Sequence, residues 1–262
     1  MRSRTDPPVW DRAAGASVRR SPPPILRPAS RRALWRRMLH LREATVERIG
    51  TLTGVATPRL RSFRSELESS DLPDRLIARG AGLSFVRELP HGVALYLLVR
   101  ALAPLRVLET GVRPGYSTAW ILSALEANGR GELTSLGPGG ANGRAPGVAN
   151  VFVGQFVPPP LRTRWTLVLG NTEDRLREIL SASPEIDLFF YDNGPDPIRA
   201  RFELKAAWSA LSPHGILLAH HAEATPSWRE FCAGQGLPPQ IVDPGPPALG
   251  GLSVDRGRAL GR

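Results

Sequence analysis

The residues with the clearest chemical potential lie in Arg106–Thr118, which reads RVLETGVRPGYST. A short apolar run ends in a carboxylate, Glu109. A turn bracketed by Gly111 and Gly115 follows at once, and a helical pattern starts at Tyr116. Glycines keep Cβ atoms out of a ligand's path, and a helix beginning straight after such a turn offers unsatisfied N–H groups and the positive end of its dipole. The order strand, acid, turn, helix sets a carboxylate and bare amides at the open end of a parallel sheet, where nucleotide-like cofactors bind in doubly wound α/β folds. The G-x-x-x-G spacing departs from the G-x-G-x-x-G that brings backbone onto a pyrophosphate, which argues against a dinucleotide.

Such residues need a sheet to hold them, and the pattern from His91 onward supplies one. Strands are expected at Leu105–Glu109, Glu132–Leu136, Trp165–Leu169, Ile186–Tyr191 and Gly215–His220. Helices are expected at Val93–Ala103, Tyr116–Ala127, Glu173–Ser181, Asp196–Leu211 and Pro226–Ala233, with Thr172 able to cap the third and Asp196 the fourth. Gly137–Pro160 reads as a long loop, and Gln240–Val242 with Leu252–Val254 as a weak terminal hairpin. Strands alternating with helices of this length predict a Rossmann-like, doubly wound α/β domain over residues 91–262, its mostly parallel sheet covered by helices on both faces. Residues 30–90 read as a helical N-terminal extension. Ser30 can cap a helix through about Ile49, with Trp35, Met38, Leu39, Val46 and Ile49 on one face. That face packs on the main domain, builds a homodimer, or lies on a membrane surface. Thr57–Leu83 reads as one or two short helices around Pro73 and Gly80. Residues 1–29, rich in Pro and Arg, read as a disordered basic leader.

Composition narrows the partners. At 262 residues and 42% hydrophobic content, the chain can bury a sizeable core. No apolar run reaches the roughly 18–20 residues of a membrane span, and the N-terminus lacks the apolar core of a secretory signal. The single cysteine, Cys232, cannot form an internal disulfide, so a reducing cytoplasm is expected, with Cys232 a small core residue. The net charge of +10 is concentrated in residues 1–50, which hold 12 arginines against 4 acids. The rest is close to neutral, which argues against nucleic acid as the partner and leaves the basic leader as disordered or partner-binding.

With these residues in view, the chain resembles class I S-adenosylmethionine-dependent methyltransferases. It is most similar to the bacterial group whose first motif reads VVETGVxxGxSS, matched here by Val107, Leu108, Glu109, Thr110, Gly111, Val112, Gly115 and Ser117. A second block of the form DLFFHDSxHxYExMxFEFxxAWxxLxPGGLLLxxD is matched by IDLFFYDNGPDPIRARFELKAAWSALSPHGILLAHH. The resemblance covers about Leu95–Cys232. It implies methyl transfer from S-adenosylmethionine to a small-molecule or sugar-like acceptor. That donor has no phosphate. Its amino-acid end needs a carboxylate for the ammonium, which Glu109 can supply directly or through water. It also needs N–H donors for the carboxylate, which Gly111–Gly115 and the next helix can supply, with the Ser117 hydroxyl beside them. The alternative is that Glu109 caps the helix and the glycines only make a turn. The resemblance further places Asn171, Thr172 and Glu173 where this fold contacts adenine; capping alone also explains them.

Three positions depart from the family pattern. The acid expected to grip the ribose hydroxyls falls at Gly137. The family's His after the fourth strand falls at Pro195, although Asp192 is retained and can orient an acceptor hydroxyl, bind a metal or simply open a turn. The acid ending the fifth strand is replaced by His221, next to His220. Either imidazole can act as general base on an acceptor, and Asp192 with His221 is a weak candidate pair for a divalent metal. Adjacent residues of an extended segment point opposite ways, so only one of the two histidines is expected to face the cleft. These departures keep a second reading open: a catalytically degenerate, methyltransferase-like binding or scaffolding domain.

Overall fold

In a computed structural model, the structure describes residues 41–72, 75, 82–138, 152–182, 185–194, 196–223, 226–245 and 248–254, with only the backbone course for 82–90. The expected leader, the Ser30 cap, Trp35, Met38, Leu39, Pro73, Gly80 and most of the expected long loop lie outside these residues. Two helices, α1 (Glu43–Thr53) and α2 (Thr57–Ser69), precede a long α3 (Gly82–Leu102). Then come β1 (Arg106–Thr110), α4 (Tyr116–Asn128), β2 (Glu132–Pro138), a short 3-10 turn (Pro159–Arg164), β3 (Trp165–Gly170), α5 (Thr172–Ala182) and β4 (Ile186–Tyr191). The chain continues through α6 (Pro197–Ala210), β5 (Leu211–His220), α7 (Pro226–Gly234), β6 (Ile241–Asp243) and β7 (Leu249–Ser253).

The strands form one sheet in the order β3-β2-β1-β4-β5-β7-β6. β1 to β5 are parallel, β7 is antiparallel to β5, and β6 to β7. The expected parallel sheet and terminal hairpin are thus both present. The period of two decides which face each strand residue covers. Val107, Leu188, Phe190, Ile216 and Leu218 join one core with α1 to α4. Leu108, Phe189, Tyr191 and Leu217 join a second core with α5, α6 and α7. The chain leaves β1 toward β2 and β3, then returns to β4 on the other side of β1. This reversal lies at the carboxyl ends of β1 and β4, the position at which open α/β sheets of this topology bind ligands.

Several boundaries differ from expectation. No single helix runs from Ser30 to Ile49: Arg42 is extended (φ −61°, ψ 138°), and α1 begins at Glu43 and ends at the left-handed Gly54. The break lets Leu41 turn into the core, where it is 2% exposed. Val46 and Ile49 are fully buried, in a core shared with α3 and the sheet. Thr45 Oγ1 donates to Asp243 Oδ1 on β6 (3.2 Å). This part of the apolar stripe therefore packs on the chain's own main domain. The boundary placed at residue 91 falls inside α3, which ends where Ala103 adopts φ 45° just before Pro104. Among the described residues, no helix is long and apolar enough to cross a membrane.

Candidate active site

Glu109 is the centre of the glycine-turn region, and it is sealed. It lies near the carboxyl end of β1 with no exposed surface. Its Oε1 accepts from Ser117 Oγ (2.5 Å), and its Oε2 from Thr118 Oγ1 (2.8 Å) and Ser135 Oγ (2.7 Å). The carboxyl thus ties β1 to β2 and to the first turn of α4. Burial pushes its pKa up to about 7; the three hydroxyls oppose that rise and the charge of Asp192 adds to it. Ser117, expected to face a ligand, turns its hydroxyl inward to Glu109 instead, and in this arrangement Glu109 offers no surface for direct contact with an ammonium. The reason is local: α4 starts immediately after Gly115, so its first hydroxyls fall directly over the end of β1.

The turn itself has the geometry the glycines predict. Gly111 (φ 97°) lies so close to the loop after β4 that a Cβ would sit 2.2 Å from the Asp192 carbonyl oxygen. Gly115 (φ 89°) is the N-cap of α4, and no side chain caps that helix. Asp192 N donates to Thr110 O (2.9 Å), which fastens the β4 loop against the turn.

Asp192, at the carboxyl end of β4, meets His220, at the end of β5: Oδ1 and Nδ1 are 2.5 Å apart. His221 does not point away, as strict alternation required. It adopts φ 56°, which breaks the pleat, and its ring stacks 4.2 Å from that of His220. His91 from α3 lies at the same distance from His220, 4.2 Å between ring centroids. The three imidazoles form a short stack. Burial and the neighbouring imidazoles hold His91 well below the ordinary histidine range. Burial lowers His221 as well, His220 adds to that, and Asp192 and Glu223 oppose it. Asp192 thus pairs with His220, and among the described residues no three His, Cys, Asp or Glu side chains are placed to hold a metal.

Two members of this region carried no sequence signal strong enough to single them out. Glu203, fully buried on α6, accepts from Thr110 Oγ1 (2.6 Å) and Asn193 Nδ2 (2.8 Å), binding β1, the β4 loop and α6 together. Burial raises its pKa, against the two hydrogen bonds. The hint was its place on the buried stripe with Ala200, Leu204 and Ala207. His91 sits in a nearly continuous apolar helix, and only its partners across the fold mark it.

At the start of α5 the cap is Asn171, not Thr172: its Oδ1 accepts from Glu173 N (2.9 Å) and Asp174 N (3.2 Å). Asp196 caps α6 through Ile198 N and Arg199 N, as expected. Cys232 is a fully buried core residue with its thiol pushed up to about 12 by burial. Pro195 lies outside the described residues.

At Gly137 the family's ribose acid is not merely missing. Phe152–Pro158 lies along the glycine turn, with Gly154 N donating to Arg113 O (2.9 Å) and Phe156 N to Pro114 O (2.8 Å). A Cβ on Gly137 would lie 3.0 Å from Val153 Cγ1 and 3.0 Å from Leu169 Cδ2. Two apolar side chains fill that corner.

The strand order and helical crossovers are those of a Rossmann-like, doubly wound α/β domain. Residues 108–222 match the family model described as "Methyltransferase domain". Among solved structures, the chain is similar to cofactor-bound Rv0187 from MTB (TM-score 0.50, 20% identity, 72% of this chain and 91% of that one). It is similar also to a methyltransferase from Geobacter sulfurreducens (TM-score 0.48, 19% identity, 68% and 89%). A third is the O-methyltransferase from Bacillus cereus in complex with SAH (TM-score 0.46, 21% identity, 60% and 68%). No curated protein matches the chain.

Proposed function

We propose that this protein transfers a methyl group from S-adenosylmethionine to a hydroxyl of a small-molecule acceptor at the carboxyl ends of β1, β4 and β5. The observation that carries the reading is the 2.5 Å contact between Asp192 and His220 on the strand ends beside the glycine turn. The donor supplies a methyl on a sulfonium, an electrophile that needs positioning more than activation. The amino-acid end of such a donor would be met by the first turn of α4, whose N-cap Gly115 leaves the leading N–H groups without a side-chain cap. Its ribose does not fit a carboxylate clamp, because the corner at Gly137 is apolar.

The chain's own residues do the acceptor chemistry. Asp192 accepts the His220 Nδ1 proton, which fixes the ring and leaves Nε2, buried in this arrangement, as the basic nitrogen that an acceptor has to reach. His220 takes the acceptor's hydroxyl proton as the oxygen becomes nucleophilic, and Asp192 stabilises the resulting imidazolium. Glu109 and Glu203 hold the turn and the β4 loop in register rather than touch the reacting atoms. Asn171, Thr172 and Glu173 stand at the start of α5, where adenine contact would fall. Transfer of labelled methyl to a panel of hydroxyl acceptors, with wild type and His220→Gln, tests the proposal. Turnover that falls at least about 100-fold in the variant is expected; equal turnover refutes the role of His220.

The filled ribose corner favours one second reading, a degenerate methyltransferase-like binding domain. Heat on titration with S-adenosylhomocysteine, without methylation of any acceptor in the panel, would establish it.

A further inference from the structure

With S-adenosylmethionine as donor, the reading on which this inference rests, the nucleoside has to be met beside the end of β2. β2 carries Ser135 and Gly137 on the face that Glu109 shares, since Glu109 pairs with Ser135 in the parallel ladder. A side chain at 137 would therefore project over the turn, toward a ribose. That space holds Val153 from the crossover and Leu169 from β3, each 3.0 Å from where a Cβ on residue 137 would be. The wall is fixed, not incidental. Val153 is 7% exposed and Val157 is fully buried. Gly154 lies so close to Trp165 that a Cβ would sit 2.2 Å from its ring. Trp165 Nε1 donates to Ser135 Oγ (2.9 Å), which itself donates to Glu109. The segment along the turn is thereby keyed to the buried carboxyl beneath it.

No substitute acid is at hand in this part of the chain. Between Glu132 and Glu173 the sequence contains no Asp or Glu, so neither the end of β2, nor the whole crossover, nor β3 can supply a carboxylate. We propose that Val153 and Leu169 replace the ribose clamp with an apolar wall, so that this chain binds its donor without reading the sugar hydroxyls. Specificity then rests on the amino-acid end at the glycine turn and on the base. A carboxylate that accepts from a hydroxyl pair distinguishes a ribose from a deoxyribose by about 10- to 100-fold; a hydrocarbon wall gains nothing from either hydroxyl.

Calorimetric titration of the full chain with S-adenosylhomocysteine and with its 2′-deoxy and 3′-deoxy analogues tests this directly. Wild type is expected to bind all three within about 3-fold. Gly137→Asp combined with Val153→Ala, which makes room for the new side chain, is expected to prefer the ribose form by about 10-fold or more. A wild type that binds S-adenosylhomocysteine at least about 10-fold tighter than either analogue overturns the proposal, because some other group must then grip the diol. If wild type binds none of the three, the donor reading itself fails and this inference with it. The wild-type comparison stands by itself if the double variant does not fold.

Discussion

The buried carboxyl of Glu109 makes a measurable claim about stability and pH. In the unfolded chain it titrates near 4.5; in the fold, burial raises it to about 7. A group whose folded pKa is raised binds its proton more tightly when folded. Its contribution is therefore present at low pH and lost as pH rises through the folded value. Each pKa unit corresponds to about 1.4 kcal/mol, so the loss between about pH 4.5 and 8 amounts to about 3 kcal/mol. Glu109→Gln keeps the shape and the acceptor oxygen for Thr118 and Ser135 but cannot ionise. The variant should match wild type to within about 1 kcal/mol at about pH 5 and exceed it by about 3 kcal/mol at about pH 8. In urea denaturation this is a midpoint shift of about 1 M that grows with pH. Taking the difference between the two proteins removes the contribution of Glu203, which is raised in the same direction. Parallel stability curves across this pH range would refute the reasoning, since they would mean that Glu109 is solvated or permanently paired.

Single contacts set further outcomes. Gly111→Ala places a Cβ 2.2 Å from the Asp192 carbonyl at φ 97° and should lower the melting temperature by about 5 °C or more. Gly129→Ala, at φ 65° with nothing within 4 Å, should cost only about 1 kcal/mol, so equal losses would contradict the close approach at Gly111. Asp196→Ala removes the cap of α6 and should cost about 1 kcal/mol in thermal or chemical denaturation. His91→Leu removes two buried ring nitrogens that have no hydrogen-bond partner among the described residues, and should raise the melting temperature by about 2–4 °C. Asp192→Asn should reduce methyl transfer about 100-fold or more while leaving donor affinity within a few-fold, read by titration and single-turnover rates.

Much of the framework was legible in the sequence because it rests on local or periodic signals. The run ending at Glu109, the glycines around 111–115 and the apolar stretch of β4 need only strand periodicity and turn chemistry to be recognised, and they set the α/β order. The Asp196 cap and the buried Cys232 were legible for the same reason. What the sequence left undecided depends on contacts between distant segments. The sealing of Glu109 requires hydroxyls from α4 and β2 to converge on one carboxyl. The pairing of Asp192 with His220, and the stack that includes His91, requires α3, β4 and β5 to meet. His221 joins that stack only because its left-handed backbone breaks the alternation that strand geometry predicts. Periodicity specifies which face of an element is buried; it carries no information on which polar side chains of separate elements end up opposite one another. For that reason the closed corner at Gly137, a missing acid in the sequence, became an apolar wall only when Val153 and Leu169 were brought to it by the fold.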